Sequence, residues 1–306
     1  MIKKNLESEY KKKIKLLTNY NKNYYDTSKP LVSDKEYDDL KNSILVLESK
    51  YTFLNSKKSP SKVVGFKPSK NFQKITHRAP MLSLANAFGR EDLINFEKKI
   101  LNFLSKNEDY KLSYSAEPKI DGISASLIYK NGEFKIGLSR GDGKEGEDIT
   151  ANLATIKDIP KKIQLKDFPK EIDIRGEVFI QNSDFKNLKE KFANPRNAAS
   201  GSLRQKNSDE TKKIPLKFIA YTFGYEKGLK AKNQTDFLKN LDDWGFKTNP
   251  LNGLFVGVDD LLINYSKIEK DRTKIDFDID GIVYKINNFE LQKRLGNVAN
   301  SPRWAI

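Results

Sequence analysis

The sequence predicts an α+β fold in which a small N-terminal helical domain precedes a larger domain built mainly from antiparallel sheets. Three observations support this prediction. Apolar residues recur at helical spacing in residues 2–50, a region rich in Ser, Pro, Gly and Lys follows, and short strand-like runs separated by turn residues begin at Lys111. Because strand and helix do not alternate regularly, a parallel sheet is not expected.

Composition limits the kind of protein this can be. The 306 residues suffice for about two domains, each with its own core. The 56 Lys and Arg against 41 Asp and Glu give a formal net charge of +15, which is typical of proteins that meet phosphate. Lysine is spread along the whole chain, however, as a composition-biased genome would also produce. Charge alone therefore leaves nucleic acid and a plain solvated surface equally open.

The rarest residues exclude several chemistries. No cysteine is present, which rules out disulfides, thiolate nucleophiles and cysteine-ligated zinc within these residues, and His77 is the only histidine. An enzymatic nucleophile or base would therefore be Lys, Asp, Glu or Tyr. The N-terminus lacks a signal-peptide pattern and no apolar run approaches membrane length, so we expect a cytoplasmic protein without a membrane partner.

The N-terminal region predicts two amphipathic helices within residues 2–50. Residues 24–34 between them are predicted to form a polar turn that ends in a Ser and an Asp able to cap the second helix. Residues 55–80 lack periodicity and are predicted to be a linker. We place the domain boundary in that linker, which gives a helical domain at 1–70 and a larger domain at 71–306.

The larger domain is predicted from strand-like runs and the turns between them. Asn131-Gly132, which separates two such runs, is the strongest hairpin signal in the chain. The predicted strands are 112–119, 123–130, 133–140, 172–180, 216–223 and 281–286, and the predicted helices are 90–104, 183–192 and 235–244.

The sharpest chemical feature is Glu117-Pro118-Lys119-Ile120-Asp121-Gly122, at the end of a predicted strand. Strand alternation puts Glu117, Lys119 and Asp121 on one face, so an amine is flanked by two carboxylates where the chain turns. An exposed stripe of charge on an edge strand would show the same spacing. Spacing alone favours that simpler interpretation.

A glycine-rich run, Gly141 to Gly146, matches the pattern G-x-G-x-x-G. A dinucleotide-binding fingerprint requires a helix in a βαβ unit, and the acidic residues in this run would repel a pyrophosphate. We therefore reject a Rossmann interpretation, and the run does not fit a Walker loop either.

Three further segments carry charge in unusual places. Arg175 to Phe179 puts Glu177 in an apolar strand, where a carboxylate needs a partner or a ligand. Asp278 to Lys285 puts acids before a strand and a lysine near its end. Asn194 to Arg204 combines arginines with small residues, as in a phosphate or nucleic-acid contact, or as in a basic loop that opens a helix at Pro195.

Taken together, these segments resemble the bacterial NAD-dependent DNA ligases over nearly the whole chain. The nucleotidyltransferase signature K-x-D-G at Lys119 to Gly122 is weak alone, but seven ordered segments make a strong match. The other six are Pro80 to Leu84, Arg140 to Gly143, Arg175 to Phe179, Asn194 to Gln205, Asp278 to Lys285 and Ser301 to Trp304. The resemblance implies the adenylation region of such a ligase, with a helical domain that binds nicotinamide mononucleotide (NMN) and an ATP-grasp-like nucleotidyltransferase domain.

The resemblance also implies a reaction. Lys119 would attack the adenylyl phosphorus of NAD, release NMN and hold AMP as a phosphoramidate. AMP would then pass to the 5′-phosphate of nicked double-stranded DNA in replication and repair. An amine attacks only after losing its proton, and cationic neighbours together with Mg²⁺ or Mn²⁺ would favour that loss.

By the same resemblance, the remaining site residues have expected roles. Glu117 would contact the adenine and Glu177 a ribose hydroxyl. The other expected contacts are Ser83 and Leu84 with the adenine, Arg140 and Lys285 with the nucleotide, and Arg196 and Arg204 with phosphate. Asp121 and Asp280 would shape the site and its metal, and Gly122 would have a supporting role.

The N-terminal domain is expected, from the family pattern, to clamp the NMN half of NAD. The matching residues are Tyr24, Tyr25, Asp34, Tyr37 and Asp38. Some family members carry His where this chain has Tyr25. A Tyr can still stack on a pyridine ring, but it cannot supply an imidazole proton.

Family members continue past the Trp304 segment into a further lysine-bearing strand, an OB-fold, a four-cysteine zinc module, helix-hairpin-helix repeats and a BRCT domain. Because this sequence ends at Ile306, we expect a C-terminally truncated monomer without the zinc site. Two rival functions stay open. One is another K-x-D-G enzyme that uses ATP and does not need residues 24–38, and the other is a basic DNA-binding module that no longer reacts.

Overall fold

The computed structural model describes residues 2–26, 32, 34–54, 59 and 72–306. Two helices, α1 (Ile2–Asp26) and α2 (Asp34–Lys50), pack against each other in the N-terminal part. Leu17 and Ile44 are fully buried, as expected for amphipathic helices that share an apolar face. The predicted pair of helices is therefore confirmed.

Part of the turn predicted between these helices is helical, and residues 27–31 and 33 lie outside the described part of the chain. We expected a turn over residues 24–34, but α1 continues to Asp26 and α2 begins at Asp34. The residues up to Asp26 include no Gly or Pro, so nothing there breaks the helix earlier. Tyr24 and Tyr25 therefore belong to the last turn of α1.

The larger region is built from short strands and helices. Its strands are β1 (Lys74–Thr76), β2 (Ser113–Ile120), β3 (Ile123–Lys130), β4 (Glu133–Ser139), β5 (Glu145–Glu147), β6 (Glu171–Phe179), β7 (Lys217–Lys227), β8 (Gly253–Val256), β9 (Ile279–Ile286), β10 (Asn297–Val298) and β11 (Ser301–Pro302). Its helices are α3 (Arg90–Leu104), α4 (Thr150–Leu153), α5 (Asn182–Phe185), α6 (Pro195–Leu203), α7 (Ser208–Lys212), α8 (Gln234–Asp243), α9 (Gly257–Asp271) and α10 (Phe289–Leu295). Within the described ranges, no helix combines the length and the apolar character needed to cross a membrane.

Two antiparallel sheets organise this region. One has the strand order β8-β2-β9 and the other the order β4-β3-β6-β7. Tyr114 and Leu261 belong to a core that the three-stranded sheet shares with α3 and α9. Leu127, Phe218 and Phe237 belong to a separate core beside the four-stranded sheet. The predicted α+β class with antiparallel sheets is confirmed.

Two dipeptides that end in glycine, Asn131-Gly132 and Asp121-Gly122, form different kinds of connection in this fold. Asn131-Gly132 closes the β3–β4 hairpin, and both residues have the positive φ, 50° and 77°, that a type I′ turn needs. Asp121-Gly122 instead carries the chain from β2 in one sheet to β3 in the other. Glycine is required at 122 because a Cβ there would lie 2.4 Å from the carbonyl oxygen of Val178. The end of β2 is thus the junction of the two sheets.

Two local predictions were wrong in detail. The helix predicted at 183–192 is only the single turn α5. The chain after it brings Leu188 and Phe192 to the core through tight turns, such as the hydrogen bond from Leu188 N to Phe185 O. The linker predicted at 55–80 contains β1, which pairs with β5. Residues 55–58 and 60–71 lie outside the described part of the chain.

The sequence analysis missed helix α9 as well as the shorter helices α4, α7 and α10. The buried residues of α9 include Val258, Leu261 and Ile268 at helical spacing, but polar Asn264 interrupts the apolar face. The glycine and apolar residues of β8 just before it also resemble a strand that continues. Periodicity was therefore too weak to separate the two elements.

Gly132→Ala is expected to destabilise the protein more than Gly257→Ala. The two glycines have nearly the same φ, 77° and 75°, but a Cβ at Gly132 would lie 2.1 Å from Ile163 O, whereas one at Gly257 would meet nothing within 4 Å. The left-handed backbone costs each variant about 1 kcal/mol, and the clash should cost Gly132→Ala about 1 kcal/mol or more in addition. Urea denaturation followed by tryptophan fluorescence measures both losses, and equal losses would contradict the prediction.

Candidate active site

Lys119 lies at the exposed end of β2. Its main chain pairs with Gly281 of β9, and its Nζ is 2.5 Å from Asp280 Oδ2. The side chain of Lys119 is 48% exposed. A ligand can therefore reach this amine, which carries one carboxylate partner from the neighbouring strand.

Glu117 and Lys285 form a buried ion pair two residues further into the sheet. Lys285 Nζ lies 2.6 Å from Glu117 Oε2 and 3.1 Å from the carbonyl oxygen of Tyr221. The side chains are 5% and 7% exposed. The simpler interpretation of this segment as a solvent-facing stripe of charge is therefore wrong, because only Lys119 is exposed on that strand.

Two residues that the sequence analysis missed complete the surroundings of Glu117. Ser115 Oγ donates to Glu117 Oε1 at 2.8 Å, and Gln234 Nε2 donates to the same oxygen at 3.0 Å. Strand alternation could have found Ser115, which shares a face with Glu117. Gln234 stands far away in the sequence and follows a helix cap, so no local pattern indicated it.

Glu177 is held deep in the four-stranded sheet. It lies opposite Ser124 of β3, and Ser124 Oγ donates to Glu177 Oε2 at 2.9 Å. Burial raises the pKa of Glu177 to about 7, although the nearby charges of Arg196, Lys119 and Arg140 oppose that rise. Ser124 is therefore a partner of this carboxylate, and the alternative in the sequence analysis, that the carboxylate faces a ligand, stays a prediction.

Tyr221 of β7 was also missed. Its pKa is raised by burial and by the charge of Glu177, and Ser124 forms a hydrogen bond with it. Its ring centroid is 5.4 Å from Lys285 Nζ. The Tyr221 ring therefore lies close to both the Glu117–Lys285 pair and Glu177.

Asp121 and Arg196 form a second charge pair at the sheet junction. Arg196 Nη1 is 2.6 Å from Asp121 Oδ1, and the Asp121 amide donates to Asp278 O at 2.9 Å. Burial raises the pKa of Asp121, and the charge of Arg196 opposes the shift. Arg196 comes from the first turn of α6, which Asn194 caps, so the helix predicted to open at Pro195 is present and delivers a charge to the site.

A segment that we call the strap, residues 77–84, runs beside these residues. Arg140 Nη2 donates to Ser83 Oγ at 3.1 Å and to Leu82 O at 3.3 Å, while Arg140 Nε is buried with no partner among the described residues. Leu84 is half-buried next to Ser83. Ser83, which was expected to contact the adenine, and Arg140, which was expected to contact the nucleotide, therefore meet.

The glycine-rich run holds the strap in place. It is the turn between β4 and β5, and its carbonyl groups accept from the amides of His77 and Met81 at 2.8 Å each. His77 Nε2 lies 3.1 Å from Arg140 O, and burial lowers the pKa of this histidine. The glycine-rich run leads into β5, which pairs antiparallel with β1, and not directly into a helix of a βαβ unit, so rejecting the Rossmann interpretation was correct.

Arg204 ends α6 away from the main group of side chains. Its Nε lies 3.6 Å from Glu147 Oε2 on β5, and its side chain is 40% exposed. Arg196 and Arg204, which the sequence grouped as phosphate contacts, thus lie at opposite ends of one helix.

The candidates in the N-terminal domain are only partly described. Tyr37 Oη donates to Asn21 Oδ1 at 2.7 Å. The side chains of Tyr24, Tyr25, Asp34 and Asp38 lie outside the described part of the structure. Their predicted contacts with NMN stay predictions.

The carboxylates of the site do not form a metal-binding group. Among the described residues, no cluster of three or more His, Asp and Glu could hold an ion. Asp121 is bound to Arg196 and Asp280 to Lys119. The described carboxylates by themselves therefore do not fit a dedicated Mg²⁺ or Mn²⁺ site.

Comparison with known proteins decides the family. Residues 69–306 match the model of the NAD-dependent DNA ligase adenylation domain. The chain belongs to this family. Residues 3–65 match the N-terminal NAD⁺-binding domain of DNA ligase-like proteins. The resemblance to NAD-dependent DNA ligases is confirmed.

Several proteins named DNA ligase are similar to this adenylation-family chain. That of Pelagibacter ubique strain HTCC1062 is 67% identical over 99% of this chain and 45% of its own length, and that of Rickettsia canadensis strain McKiel is 45% identical over 98% of this chain and 45% of its own. The ATP-dependent DNA ligase of bacteriophage T7, solved with ATP, aligns over 69% of this chain and 64% of its own at 15% identity and a TM-score of 0.37. The chain spans about half the length of the curated relatives it matches.

Glu177→Gln should remove a pH dependence of stability from this domain. The pKa of Glu177 is about 7 in the folded protein, against an ordinary value of 4.5. Between these values the folded state binds more protons than the unfolded chain, so wild-type stability falls as pH rises. From about pH 5 to about pH 8.5, Glu177→Gln should gain on the order of 2 kcal/mol relative to wild type.

Urea denaturation at the two pH values measures this change. Glu145→Gln is the control, since Glu145 is exposed at the start of β5, and it should show no such gain. A difference between Glu177→Gln and wild type that is the same at both pH values would contradict the prediction.

Proposed function

We propose that this chain is the adenylation region of an NAD-dependent DNA ligase, which takes AMP from NAD onto Lys119 and passes it to the 5′-phosphate of nicked DNA. The contrast between two lysines of one site carries the proposal. Lys285 is 7% exposed and bound by Glu117, whereas Lys119 is 48% exposed and able to meet a phosphate. The match to an adenylation-domain family supports the same assignment.

The buried pair suits the edge of adenine. Adenine offers a hydrogen-bond donor at N6 beside an acceptor at N1, and guanine offers the reverse at O6 and N1. Glu117 Oε2 is an acceptor and Lys285 Nζ a donor, 2.6 Å apart. This order matches adenine and opposes guanine, and Ser83 and Leu84 of the strap complete the pocket.

The remaining groups suit the rest of a nucleotide. Glu177 can accept from a ribose hydroxyl, and the ring of Tyr221 can stack on a base. Arg140 and Arg196, whose charges act on Glu177, suit the phosphates. Arg140 Nε is buried without a partner in the described residues, so a phosphate oxygen would satisfy it.

The first step forms one bond and breaks one. The neutral amine of Lys119 attacks the adenylyl phosphorus of NAD, and the phosphorus–oxygen bond to NMN breaks, so that NMN leaves with the oxygen and its electron pair. Asp280 Oδ2, 2.5 Å from Nζ, takes the proton that the amine loses. Arg140 and Arg196 stabilise charge that develops on the phosphate oxygens.

A divalent cation belongs to the proposal only through the substrate. Mg²⁺ binds oxygen ligands and is commonly held by substrate phosphates together with one or two carboxylates. Because Asp121 and Asp280 are engaged by Arg196 and Lys119, we expect phosphate oxygens to supply most ligands of Mg²⁺ or Mn²⁺. None of the steps above depends on it.

Nicked double-stranded DNA is the proposed partner of the adenylated protein. The net charge of +15 favours association with phosphate backbones, and Arg196 and Arg204 at the two ends of α6 are the proposed contacts. Sealing nicks would serve replication and repair. A monomeric state and a cytoplasmic location stay predictions.

Lys119→Ala should abolish covalent adenylylation without unfolding the chain, because this exposed side chain adds little to a core. Intact mass after incubation with Mg²⁺ and NAD, and separately with ATP, detects the adduct. The wild-type chain should gain one adenylyl group from NAD and none from ATP. Lys135→Ala is the matched control, since Lys135 is also 48% exposed and also 2.5 Å from a carboxylate, that of Glu133.

Each alternative result has a clear meaning. Residual adduct in Lys119→Ala would overturn the assignment of the nucleophile. Labelling by ATP in place of NAD would favour the ATP-dependent rival. Salt-sensitive DNA binding that is the same in wild type and Lys119→Ala, without any adduct, would favour a binding module.

Deleting residues 1–50 should remove the use of NAD, because the proposed clamp for NMN lies there. If the chain is adenylated first and residues 1–50 are then cleaved off, it should still pass AMP to nicked DNA to the extent that the intact chain does. A protease site placed after residue 50 and intact-mass analysis test both steps. Unaltered labelling by NAD after the deletion would rule out the clamp.

A further inference from the structure

The buried amide of Gln234 connects the two sheets at the base of the site. Gln234 is 1% exposed. Its Nε2 donates to Glu117 Oε1 on β2 at 3.0 Å and to the carbonyl oxygen of Tyr221 on β7 at 2.7 Å. β2 and β7 belong to different sheets, so this one amide group spans the interface on which the site is built.

The main chain of Gln234 is anchored to a third strand. Its amide donates to Asn287 O at 2.8 Å, and Thr235 donates from its amide and hydroxyl to Asn287 Oδ1 at 3.0 Å and 2.7 Å. Asn287 directly follows β9, two residues after Lys285. The main chain from which the Gln234 side chain extends is therefore fixed relative to Lys285.

The hydrogen bonds to Glu117 leave one oxygen open to a ligand. Oε1 accepts from Ser115 and from Gln234, whereas Oε2 accepts from Lys285 alone among the described residues. A carboxylate oxygen can accept two hydrogen bonds. Because Oε1 is filled, the carboxylate cannot rotate without losing two donors, and Oε2 stays beside Lys285.

We propose that Gln234 is a positioning residue for base selectivity. Together with Ser115 it holds Glu117 Oε1, so that Oε2 and Lys285 present an acceptor and a donor in the order that adenine requires. Gln234 itself does not touch the nucleotide. This inference rests on the proposed function, since it requires Glu117 and Lys285 to face the base.

Gln234→Met tests the proposal because methionine keeps the length and burial of the side chain but removes the donor. The probes are NAD and nicotinamide guanine dinucleotide, and intact mass gives the rates of labelling of the 306-residue chain by each. The ratio of the two rates should fall roughly 10-fold or more in Gln234→Met, since the donor to a buried carboxylate is lost. A purely structural role would lower both rates together and leave their ratio unchanged.

The controls separate this proposal from the proposed function. Gln292→Met should keep the wild-type ratio, because Gln292 Nε2 donates only to the main-chain oxygen of Ile286 among the described contacts. Ser115→Ala removes the other donor to the same oxygen of Glu117 and should also lower the ratio. If Gln234→Met does not fold, Ser115→Ala takes its place in the test. Glu117→Gln should lower it most.

The outcomes are decisive in each direction. If Glu117→Gln loses selectivity while Gln234→Met and Ser115→Ala keep it, the role of Gln234 is overturned and the proposed function stands. If the wild-type chain labels equally with both dinucleotides, the role in base selectivity fails while the proposed transfer of AMP stands. If it labels with neither, both fail. A lowered ratio in Gln234→Met with an unchanged ratio in Gln292→Met supports the proposal.

Discussion

The buried ion pair between Glu117 and Lys285 is the interaction on which the arrangement of the site depends. Both side chains are almost fully buried, and removing one partner of such a pair costs about 3–5 kcal/mol because the other charge is left uncompensated. Strands β2 and β9 must therefore keep the register that pairs Ser115 with Lys285. The same register sets Lys119 opposite Gly281, beside Asp280. One buried contact thus fixes where the exposed amine stands.

Two polar groups of the site are not fully compensated by the residues that the structure describes. Arg140 Nε is buried without a hydrogen-bond partner among the described residues, and burial raises the pKa of Glu177 to about 7. Groups of this kind cost free energy in the folded protein. They also need no reorganisation when charge or a hydroxyl arrives. We interpret them as groups arranged for a polar ligand at the expense of stability.

Sequence patterns predicted local structure better than they predicted the site. Alternation placed Glu117 and Lys119 on one strand face, and Asn131-Gly132 marked a hairpin that the structure contains. The sequence could not show that Asp121-Gly122 joins two sheets, because the same residue types occur in hairpin turns and in connections between sheets. Tyr221 and Gln234 were missed because both are far from the other site residues in the sequence. Their contacts arise only when the second sheet packs against the first.

The structure gives a physical reason for each position of the K-x-D-G segment. Lys119 is exposed because β2 ends there, and Ile120 is buried between the sheets with Phe179 and Ile219. Asp121 meets Arg196 of α6, while a Cβ at Gly122 would strike Val178 O. Each residue type therefore suits its place in the connection between the sheets. The lysine is exposed at the end of β2, the apolar residue packs between the two sheets, the carboxylate pairs with α6, and the glycine allows the chain to enter β3. A signature that is weak as a string of letters becomes specific once it lies at a junction between sheets.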